Sequence, residues 1–246
     1  IILLQAQQIA KVDLVNTLMG TDSKPSLSNG NTYPAIGTPW GMNYWTPQTN
    51  KNGDGWQYQY GAEKIVGFKQ THQPSPWMND YGVFSIMPST GGLKWKEQDR
   101  ASWFSHKSEE ARPYYYKVYL ADADITTELT ATERAASFQV TFPQSDTSSF
   151  IIDAFDKGSY VKIIPEENKI IGYSTRYRRG KLINFKNYFV IYFDKKFDIK
   201  KTVNETGFLI DSLEINNSHA LAVVTFKTRK GEKVHCRVAS SFISFE

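Results

Sequence analysis

The sequence predicts an all-β fold, and three observations support that prediction. From about Tyr114 to the end of the chain, short runs alternate apolar and polar residues, as half-buried strands do. Gly, Pro, Asn or Asp bounds each run, which is the turn chemistry of sandwiches and barrels. Helical periodicity is nearly absent, since only residues 3–18 could hold a turn or two of helix.

The strands of the second part are predicted in the order SFQVTF, SSFIIDAF, YVKII, KIIGYST, NYFVIYFD, HALAVVTFK and EKVHCRVASSFISF. In SFQVTF, alternation places Phe138, Val140 and Phe142 on one face. VKIIPEENKIIGY predicts a hairpin whose turn covers residues 166–169. The one cysteine, Cys236, falls at a buried position of the last strand and is predicted to be a small core residue.

The first hundred or so residues differ, because they combine short strands with long loops rich in Gly, Asn, Ser and Pro. No low-complexity linker separates them from the rest, so residues 15–246 are predicted to form one domain. Residues 1–14, which begin IILLQAQQ, fit a signal-peptide remnant and a cloning or domain-cutting artefact equally well. The abrupt end after ISFE suggests a domain of a longer protein. Core or rim packing is expected for Trp40, Trp45, Trp95 and Trp103.

The charge pattern argues against a nucleic-acid partner. The 29 basic and 25 acidic residues are spread along the whole chain, and no dense basic block could track phosphates. The densest cluster, Arg176, Arg178, Arg179 and Lys181, is expected to be a solvated strand end. No run reaches the roughly eighteen apolar residues of a membrane span. We therefore predict neither nucleic-acid binding nor a membrane span.

Four loops carry the residue types of a sugar site: GTDSKPSLSNGNTYPA, TPWGMNYWTPQT, GDGWQYQY and FKQTHQPSPWMNDYG. Sugar hydroxyls need short donors and acceptors, and the C–H face of a sugar needs a flat apolar surface. The flat surface could come from Tyr33, Trp56, Tyr58 and Trp77, and the polar groups from Asp22, Asn31, His72, Gln73, Asn79 and Asp80.

A structural role is an open alternative for each of these residues. The glycines of the loops permit positive φ in turns, and Asp22, Asn31 and Asp54 can cap such turns. A lone histidine such as His72 is more often a structural hydrogen bonder than a ligand. The sequence alone leaves this choice open.

Other chemistries find less support. The four histidines are far apart in the sequence and the cysteine has no partner, so no zinc motif is present. The sequence contains no GxSxG, GxxxxGK[ST] or GxGxxG motif. Hydrolysis of a glycosidic bond by two carboxylates remains open, although the sequence does not identify the pair.

The loops together resemble a known family. VNTLMGTDSKPSLSNGNTYPAIGTPWGMNYWTPQT and GDGWQYQYGAEKIVGFKQTHQPSPWMNDYGVFSIMP closely resemble the amino-terminal domain of the calcium-dependent exo-α-mannosidases, glycoside hydrolase family 92. YYYKVYLADADITTELTATERAASFQVTFP, DAFDKGSYVKIIPEENKIIGYSTR and RVASSFISFE fit the same domain. The resemblance covers the chain from Val15 onward.

The resemblance implies a two-sheet β-supersandwich like that of galactose mutarotase, joined in the parent enzyme to a carboxy-terminal (α/α)₆ barrel. It implies inverting hydrolysis of terminal α-linked mannose from glycans, α-1,2-linked as the first expectation. Calcium, which would grip the mannose hydroxyls, and the catalytic acid and base are expected chiefly on the barrel. No catalytic residue and no metal ligand are therefore assigned to this chain.

What the resemblance assigns to this chain is one wall of the sugar pocket. The substrate-binding residues that it implies are Gly20, Thr21, Asp22, Asn31, Trp56, His72, Gln73, Trp77 and Asp80. Many family members have a Gly- and His-rich segment such as GTGGHGHTFPG after the first turn. This chain has DSKPSLSNGNTYPA instead, where Asn31 takes the place of a histidine.

Two alternatives come from other functional classes, namely a free-standing carbohydrate-binding module and a structural domain that docks a partner. The resemblance also implies export by a bacterium, to the periplasm, the cell surface or the medium.

Overall fold

The computed structural model describes residues 10–22, 32–49, 57–72, 80–177, 180–181, 184–204 and 206–246. Five of the residues predicted for the sugar site, Asn31, Trp56, Gln73, Trp77 and Asn79, lie outside these described residues. Within the described ranges the chain is almost entirely β, which confirms the predicted fold class.

The strands of the first half are β1 (Tyr44–Gln48), β2 (Lys64–Ile65), β3 (Gly67–Thr71), β4 (Ser85–Ser89), β5 (Ser102–Trp103), β6 (Glu110–Arg112), β7 (Tyr115–Leu120), β8 (Ile125–Ala131), β9 (Ala135–Phe142) and β10 (Ser145–Asp153). Those of the second half are β11 (Ser159–Ile164), β12 (Lys169–Ser174), β13 (Arg176–Tyr177), β14 (Gly180–Lys181), β15 (Asn187–Phe193), β16 (Lys200–Val203), β17 (Leu209–Ile210), β18 (Glu214–Asn217), β19 (Leu221–Thr228) and β20 (Glu232–Ser241).

Two large antiparallel sheets form the sandwich. Seven strands make one sheet in the order β1-β3-β4-β10-β19-β16-β17, and nine make the other in the order β18-β11-β12-β15-β20-β9-β8-β7-β6. Two small ribbons, β13-β14 and β2-β5, complete the described strands. The seven-stranded sheet therefore joins strands from the two ends of the chain, which explains why no linker divides them.

The main core lies between the two large sheets. Residues of β9 alternate between partly exposed and buried, and Phe138, Val140 and Phe142 enter the core as predicted. Trp45 packs edge-on against Phe138 at a centroid distance of 5.1 Å. These apolar side chains supply the driving force that holds the sheets together.

A second, smaller apolar cluster covers the outer face of the seven-stranded sheet. Ile152 enters the main core, so its neighbour Ile151 points to the opposite face. Ile151 packs there with Leu221 and Val223, and Trp95 covers them. Strands β1, β3 and β4 are buried at nearly every position because both of their faces are covered.

The described helical segments are short. They are α1 (Glu97–Arg100) and 3₁₀ turns at Lys11–Leu14, His106–Ser108 and Pro165–Glu167. The first 3₁₀ turn lies in the only stretch where a helical turn was expected. The predicted hairpin is confirmed, and Asn168 turns the chain into β12 in the left-handed conformation, at φ 49°.

The structure corrects two expectations and confirms another. Arg176 is buried and its guanidinium pairs with Asp156, so it is not part of a solvated strand end; Arg178 and Arg179 lie outside the described residues. Trp40 is 98% exposed at φ 64° rather than packed in the core or at its rim. Cys236 is fully buried as predicted, and burial raises the pKa of its thiol.

No helix among the described residues is long and apolar enough to cross a membrane.

Candidate functional site

The loop that follows β3 is closed at its two ends by one carboxylate. Asp80 accepts a hydrogen bond from the backbone nitrogen of His72 at 2.7 Å and another from that of Tyr81 at 2.7 Å. Both carboxylate oxygens are used in this way, and the side chain of Asp80 is 1% exposed. The structure therefore brings two predicted site residues, His72 and Asp80, together.

His72 is held as a buried ring. Its side chain is 3% exposed and stacks on Tyr81 with a centroid distance of 4.9 Å and an interplanar angle of 15°. Nδ1 lies 3.7 Å from Oδ1 of Asp80, which is beyond hydrogen-bond distance. Neither ring nitrogen has a hydrogen-bond partner among the described residues. In this arrangement the backbone nitrogen of His72 bonds Asp80 and its ring packs on Tyr81 and Phe242.

The turn at Gly20 is fixed from two sides. Gly20 adopts φ 80°, which glycine accepts at no steric cost, and its carbonyl accepts from the nitrogen of Thr32 at 3.3 Å. Thr21 is buried, and its carbonyl accepts from the nitrogen of Tyr60 at 3.0 Å. Asp22, the next residue, is exposed. The turn thus presents one carboxylate to solvent from a backbone that is tied down on both sides.

A buried tyrosine links this turn to the loop after β3. The hydroxyl of Tyr33 lies 2.9 Å from Oγ1 of Thr71, the residue before His72. Tyr33 directly follows Thr32, which bonds the Gly20 carbonyl. Burial raises the pKa of Tyr33, so its hydroxyl stays protonated and able to donate. Predicted site residues 20–22 and His72 therefore belong to one connected region of the fold, in which Asp22 is exposed and Thr21 and the His72 ring are buried.

The chain after residue 56 is pinned by the buried carboxylate of Glu109. Tyr58 donates to both oxygens of Glu109 at 3.0 Å, and Tyr116 donates to Oε1 at 2.6 Å. His106 lies 2.5 Å from Oε2 and stacks on Tyr60 at a centroid distance of 3.9 Å. Burial and the charge of Glu109 raise the pKa of Tyr58. This network holds Tyr60 where its nitrogen meets the Gly20 turn.

Two of the aromatic residues that the sequence offered as sugar-stacking surfaces have another role. Tyr33 is 4% exposed and Tyr58 is 2% exposed, and both rings are packed inside the domain. The hydroxyl of Tyr33 is hydrogen-bonded to Thr71, and that of Tyr58 to Glu109. They are therefore scaffold residues of the site and present no face to a ligand.

A buried amide network holds the far end of the loop after β3. Gln70 donates to Oδ1 of Asn43 at 2.7 Å, and Asn187 donates to Oε1 of Gln70 at 2.7 Å and to the Gly82 carbonyl at 2.6 Å. Trp45 adds an indole donor to Oδ1 of Asn43 at 2.7 Å. Buried amides need such partners because an unpaired polar group costs free energy.

Sequence reasoning missed these supporting residues. Gln70 and Asn187 are 117 positions apart, and Gln70 and Ser240 are 170 apart, so no local pattern connects them. The one available signal was the presence of polar residues within otherwise apolar strands, as in GFKQT and NYFVIYF.

The loop that contains Trp56 leaves the sheet at the opposite end of the β1–β3 pair. Gln48, the last residue of β1, pairs with Gly67, the first residue of β3. His72 comes directly after Thr71, the last residue of β3, at the other end of the strand. At about 3.3 Å per residue this separates the two loop origins by roughly 16 Å. The Gly20 turn contacts both sides, through Tyr60 and through Thr32 and Tyr33, and so lies between them.

The described residues do not form a metal centre. Across the described ranges, no group of three or more His, Cys, Asp or Glu side chains converges on a common point. Both oxygens of Asp80 and both of Glu109 accept hydrogen bonds from protein donors, so neither carboxylate is free to coordinate a metal ion.

Comparison with known proteins agrees with the geometry. The sequence profile described as the glycosyl hydrolase family 92 N-terminal domain matches residues 14–241. A family GH92 inverting mannosidase from Bacteroides thetaiotaomicron superposes with a TM-score of 0.89 at 44% identity, over 95% of this chain and 32% of that one. A family GH92 α-mannosidase from the same organism gives 0.80 at 29% identity, over 95% and 34%. That second enzyme has also been solved in complex with mannoimidazole, with a TM-score of 0.79 at 29% identity, over 95% and 32%.

No curated protein matches the chain. The chain spans about a third of the length of the solved relatives. Since the family profile covers nearly all of it, the chain belongs to glycosyl hydrolase family 92 as an N-terminal domain.

Proposed function

We propose that this chain is the pocket-forming N-terminal domain of an inverting, calcium-dependent exo-α-mannosidase that hydrolyses terminal α-1,2-linked mannose from glycans. The observation that carries the proposal is the 44% identity to a GH92 inverting mannosidase over 95% of the chain. The parent enzyme would add a carboxy-terminal α/α barrel, in keeping with relatives about three times as long. The domain would work in an exported bacterial enzyme.

The chemistry of inversion supports placing catalysis outside this chain. An inverting glycosidase needs a carboxylic acid and a carboxylate about 6.5–9.5 Å apart, with a water between the carboxylate and the sugar. Of the carboxylates at the candidate site, Asp80 and Glu109 are buried and already accept hydrogen bonds from protein donors. Among the described residues of the site this leaves Asp22, which is exposed, and a single carboxylate cannot serve as both acid and base; Asp54 lies outside the described residues. Both catalytic groups are therefore proposed for the rest of the parent enzyme.

What this domain would supply is positioning. The fixed Gly20 turn can offer the Asp22 carboxylate to a sugar hydroxyl, and Trp56 is proposed as a stacking surface for the sugar or its neighbour. Asn31, Gln73 and Trp77 are proposed to contact the sugar from the adjoining loops. His72 and Asp80 would hold the loop after β3 in place.

Calcium is proposed for the parent enzyme and not for this domain. The described residues offer no group of three or more Asp, Glu, His or Cys side chains, so they lack the carboxylate cluster typical of a calcium site. No catalytic step is assigned to the ion here.

The experiment is mannose release from α-1,2-mannobiose by the full-length parent enzyme, with and without a calcium chelator, while proton NMR reports the anomer first formed. We expect release that stops on chelation and a first product of β configuration. An α first product would contradict inversion, and release unaffected by the chelator would contradict calcium dependence. Release from α-1,3- or α-1,6-mannobiose alone would overturn the proposed linkage but keep the mannosidase.

A further inference from the structure

A second cleft, of about 500 Å³, opens on the outer face of the seven-stranded sheet. Its lining includes Trp95, Asp153, Asn204, Phe208, His219 and Leu221. Asp153 ends β10, Leu221 begins β19, Asn204 and Phe208 lie in the turn between β16 and β17, and Trp95 and His219 lie in the connections before α1 and before β19. Strand β4 separates β10 from β3. The cleft is therefore distinct from the loops assigned to the mannose pocket.

A histidine is oriented into this cleft by a buried carboxylate. Nε2 of His219 lies 2.7 Å from Oδ1 of Asp153, whose side chain is 2% exposed, whereas that of His219 is 33% exposed. Arg100 donates to the other oxygen of Asp153 at 2.9 Å, and the nitrogen of Phe155 donates to Oδ1 at 3.0 Å. Asp153 is thus fixed from several sides, and it fixes the imidazole.

The other nitrogen of the imidazole is left for a ligand. Nδ1 of His219 has no hydrogen-bond partner among the described residues. Carboxylates orient functional histidines in this way: the carboxylate bonds one ring nitrogen, and the other nitrogen faces the ligand. The charged groups that face His219 from neighbouring elements are Asp153, Arg100 and Arg176, and Lys96 and Glu97 line the same cleft.

An exposed aromatic ring stands at the rim of the cleft on a locked turn. Phe208 is 68% exposed, although its backbone nitrogen donates to Oδ1 of Asn204 at 2.8 Å. Its carbonyl accepts from the nitrogen of Asn204 at 3.0 Å, and Thr206 donates to the same Asn204 oxygen at 2.7 Å. Trp95 ties the turn to the sheet by donating to the Gly207 carbonyl at 2.9 Å. These bonds fix the backbone of the turn, which presents the large apolar ring of Phe208 to solvent.

We infer that this cleft binds a neutral pyranose unit of a glycan, stacked on Phe208 and hydrogen-bonded to His219. A sugar hydroxyl can donate to Nδ1 of the neutral imidazole or accept from it when protonated, so binding does not require one protonation state. The lining carries charges of both signs, Lys96 against Glu97 and Asp153, and Asp153 is paired with Arg100, so the cleft has no excess of positive charge in its lining that would call for an anion. The Nδ2 group of Asn204 is a further donor at the rim, and the volume suits one or two sugar rings.

The inference is tested by fluorine NMR of the full-length protein with 5-fluorotryptophan. Trp95 lines this cleft and Trp56 reports on the proposed mannose pocket, and Trp95→Phe and Trp56→Phe variants assign the two resonances. Titration with methyl α-D-mannopyranoside is expected to shift the Trp95 resonance saturably. Phe208→Ala is expected to weaken that response about tenfold, because stacking on the ring is lost.

His219→Gln keeps a donor for Asp153 but removes the ring, and it is expected to weaken the Trp95 response while leaving the Trp56 response unchanged. Leu213→Ala is the matched control, since Leu213 is 42% exposed and lies beside the nine-stranded sheet. Its response should equal that of the unmodified protein.

Absence of a Trp95 shift at saturating sugar, or a shift that Phe208→Ala and His219→Gln leave unchanged, would overturn the inference. A stronger response to inorganic phosphate that disappears at high pH would replace it with an anion site. A protein without mannosidase activity that still shows the Trp95 response would refute the proposed function and keep this inference.

Discussion

The carboxylate of Asp80 lies 2.7 Å from the backbone nitrogen of His72, eight positions earlier, and so closes the loop that carries Gln73 and Trp77. A second bond of 2.7 Å, from the nitrogen of Tyr81, uses the other oxygen. One buried side chain therefore ties the residue that follows β3 to the residues on the far side of this loop. The candidate site depends on such buried polar groups at least as much as on the residues that would touch a sugar.

Asp80→Ala should destabilise the domain by about 2 kcal/mol, because two buried N–H groups lose their acceptor. Urea unfolding of the purified chain measures this loss. Asp22→Ala is the control, since Asp22 is exposed, and its midpoint should stay within error of the parent value. Equal effects for the two variants would refute the assigned role of Asp80.

Gly82→Ala should cost about 2–3 kcal/mol. Gly82 adopts φ 58°, and an added Cβ would lie 2.6 Å from Cβ of Asn187, which is buried in the amide network. Gly231→Ala separates the strain of a positive φ from the close contact of the added Cβ. Gly231 has φ 75°, but no atom lies within 4 Å of a Cβ added there. We expect a loss of only about 1 kcal/mol there. Similar unfolding midpoints for the two variants would show that the contact with Asn187 is not restrictive.

Much of the second half of the fold could be predicted from the sequence because most strands of the nine-stranded sheet have one covered face. The residues of β9 and β15 alternate in burial, and Asn168 closes the hairpin with a left-handed turn. Strand β3 could not be read in this way, because all five of its residues are buried. Both of its faces are covered by segments distant in sequence, which removes the alternation.

The candidate site was predictable in its residue types but not in its connections. The sequence led to His72 and Asp80 together, since they lie in one loop. It could not show that Glu109 would bind Tyr58 and Tyr116, or that Tyr58 would consequently be buried. The exposure of Trp40 was also not predictable, because composition favours burial of tryptophan and only the turn geometry around it shows otherwise.

The His219–Asp153 pair should make stability depend on pH. Burial lowers the pKa of His219, but the charge of Asp153 and the hydrogen bond to it outweigh burial and raise the pKa above its usual value. The stabilisation of the folded state by charged His219 is therefore fully present below about pH 6.5 and is lost as the pH rises through the raised pKa. For Asp153 burial acts in the opposite direction and would raise the pKa, but the charges of His219 and Arg100 and their hydrogen bonds hold it well below its usual range. The stabilisation of the folded state by ionised Asp153 is present above about pH 3.9 and is lost only as the pH falls through the lowered pKa of this group.

Urea midpoints between pH 5 and pH 9 measure this dependence. The parent chain should lose stability across the upper part of the range, and His219→Gln should lose less of it. His235→Gln is the control, because the His235–Asp194 pair is 43% exposed on both sides and solvent screens it. Parallel curves for the parent chain and His219→Gln would contradict the prediction.

Residues 1–246 alone should release no mannose from α-1,2-mannobiose. Among the described residues of the candidate site, Asp80 and Glu109 are buried and hydrogen-bonded and Asp22 is a single exposed carboxylate, so these three do not form a pair that could hold a water and a leaving group between them. A sensitive assay for free mannose, run with and without calcium, measures this. Robust release by the isolated chain would show that a catalytic pair lies within it.

The most direct test of the pocket role is the crystal structure of the full-length parent enzyme with mannoimidazole bound. The account predicts that the inhibitor contacts Trp56 and at least one of residues 20–22, within about 4 Å. An inhibitor bound entirely by the rest of the enzyme, with no atom of residues 15–246 in contact, would contradict it.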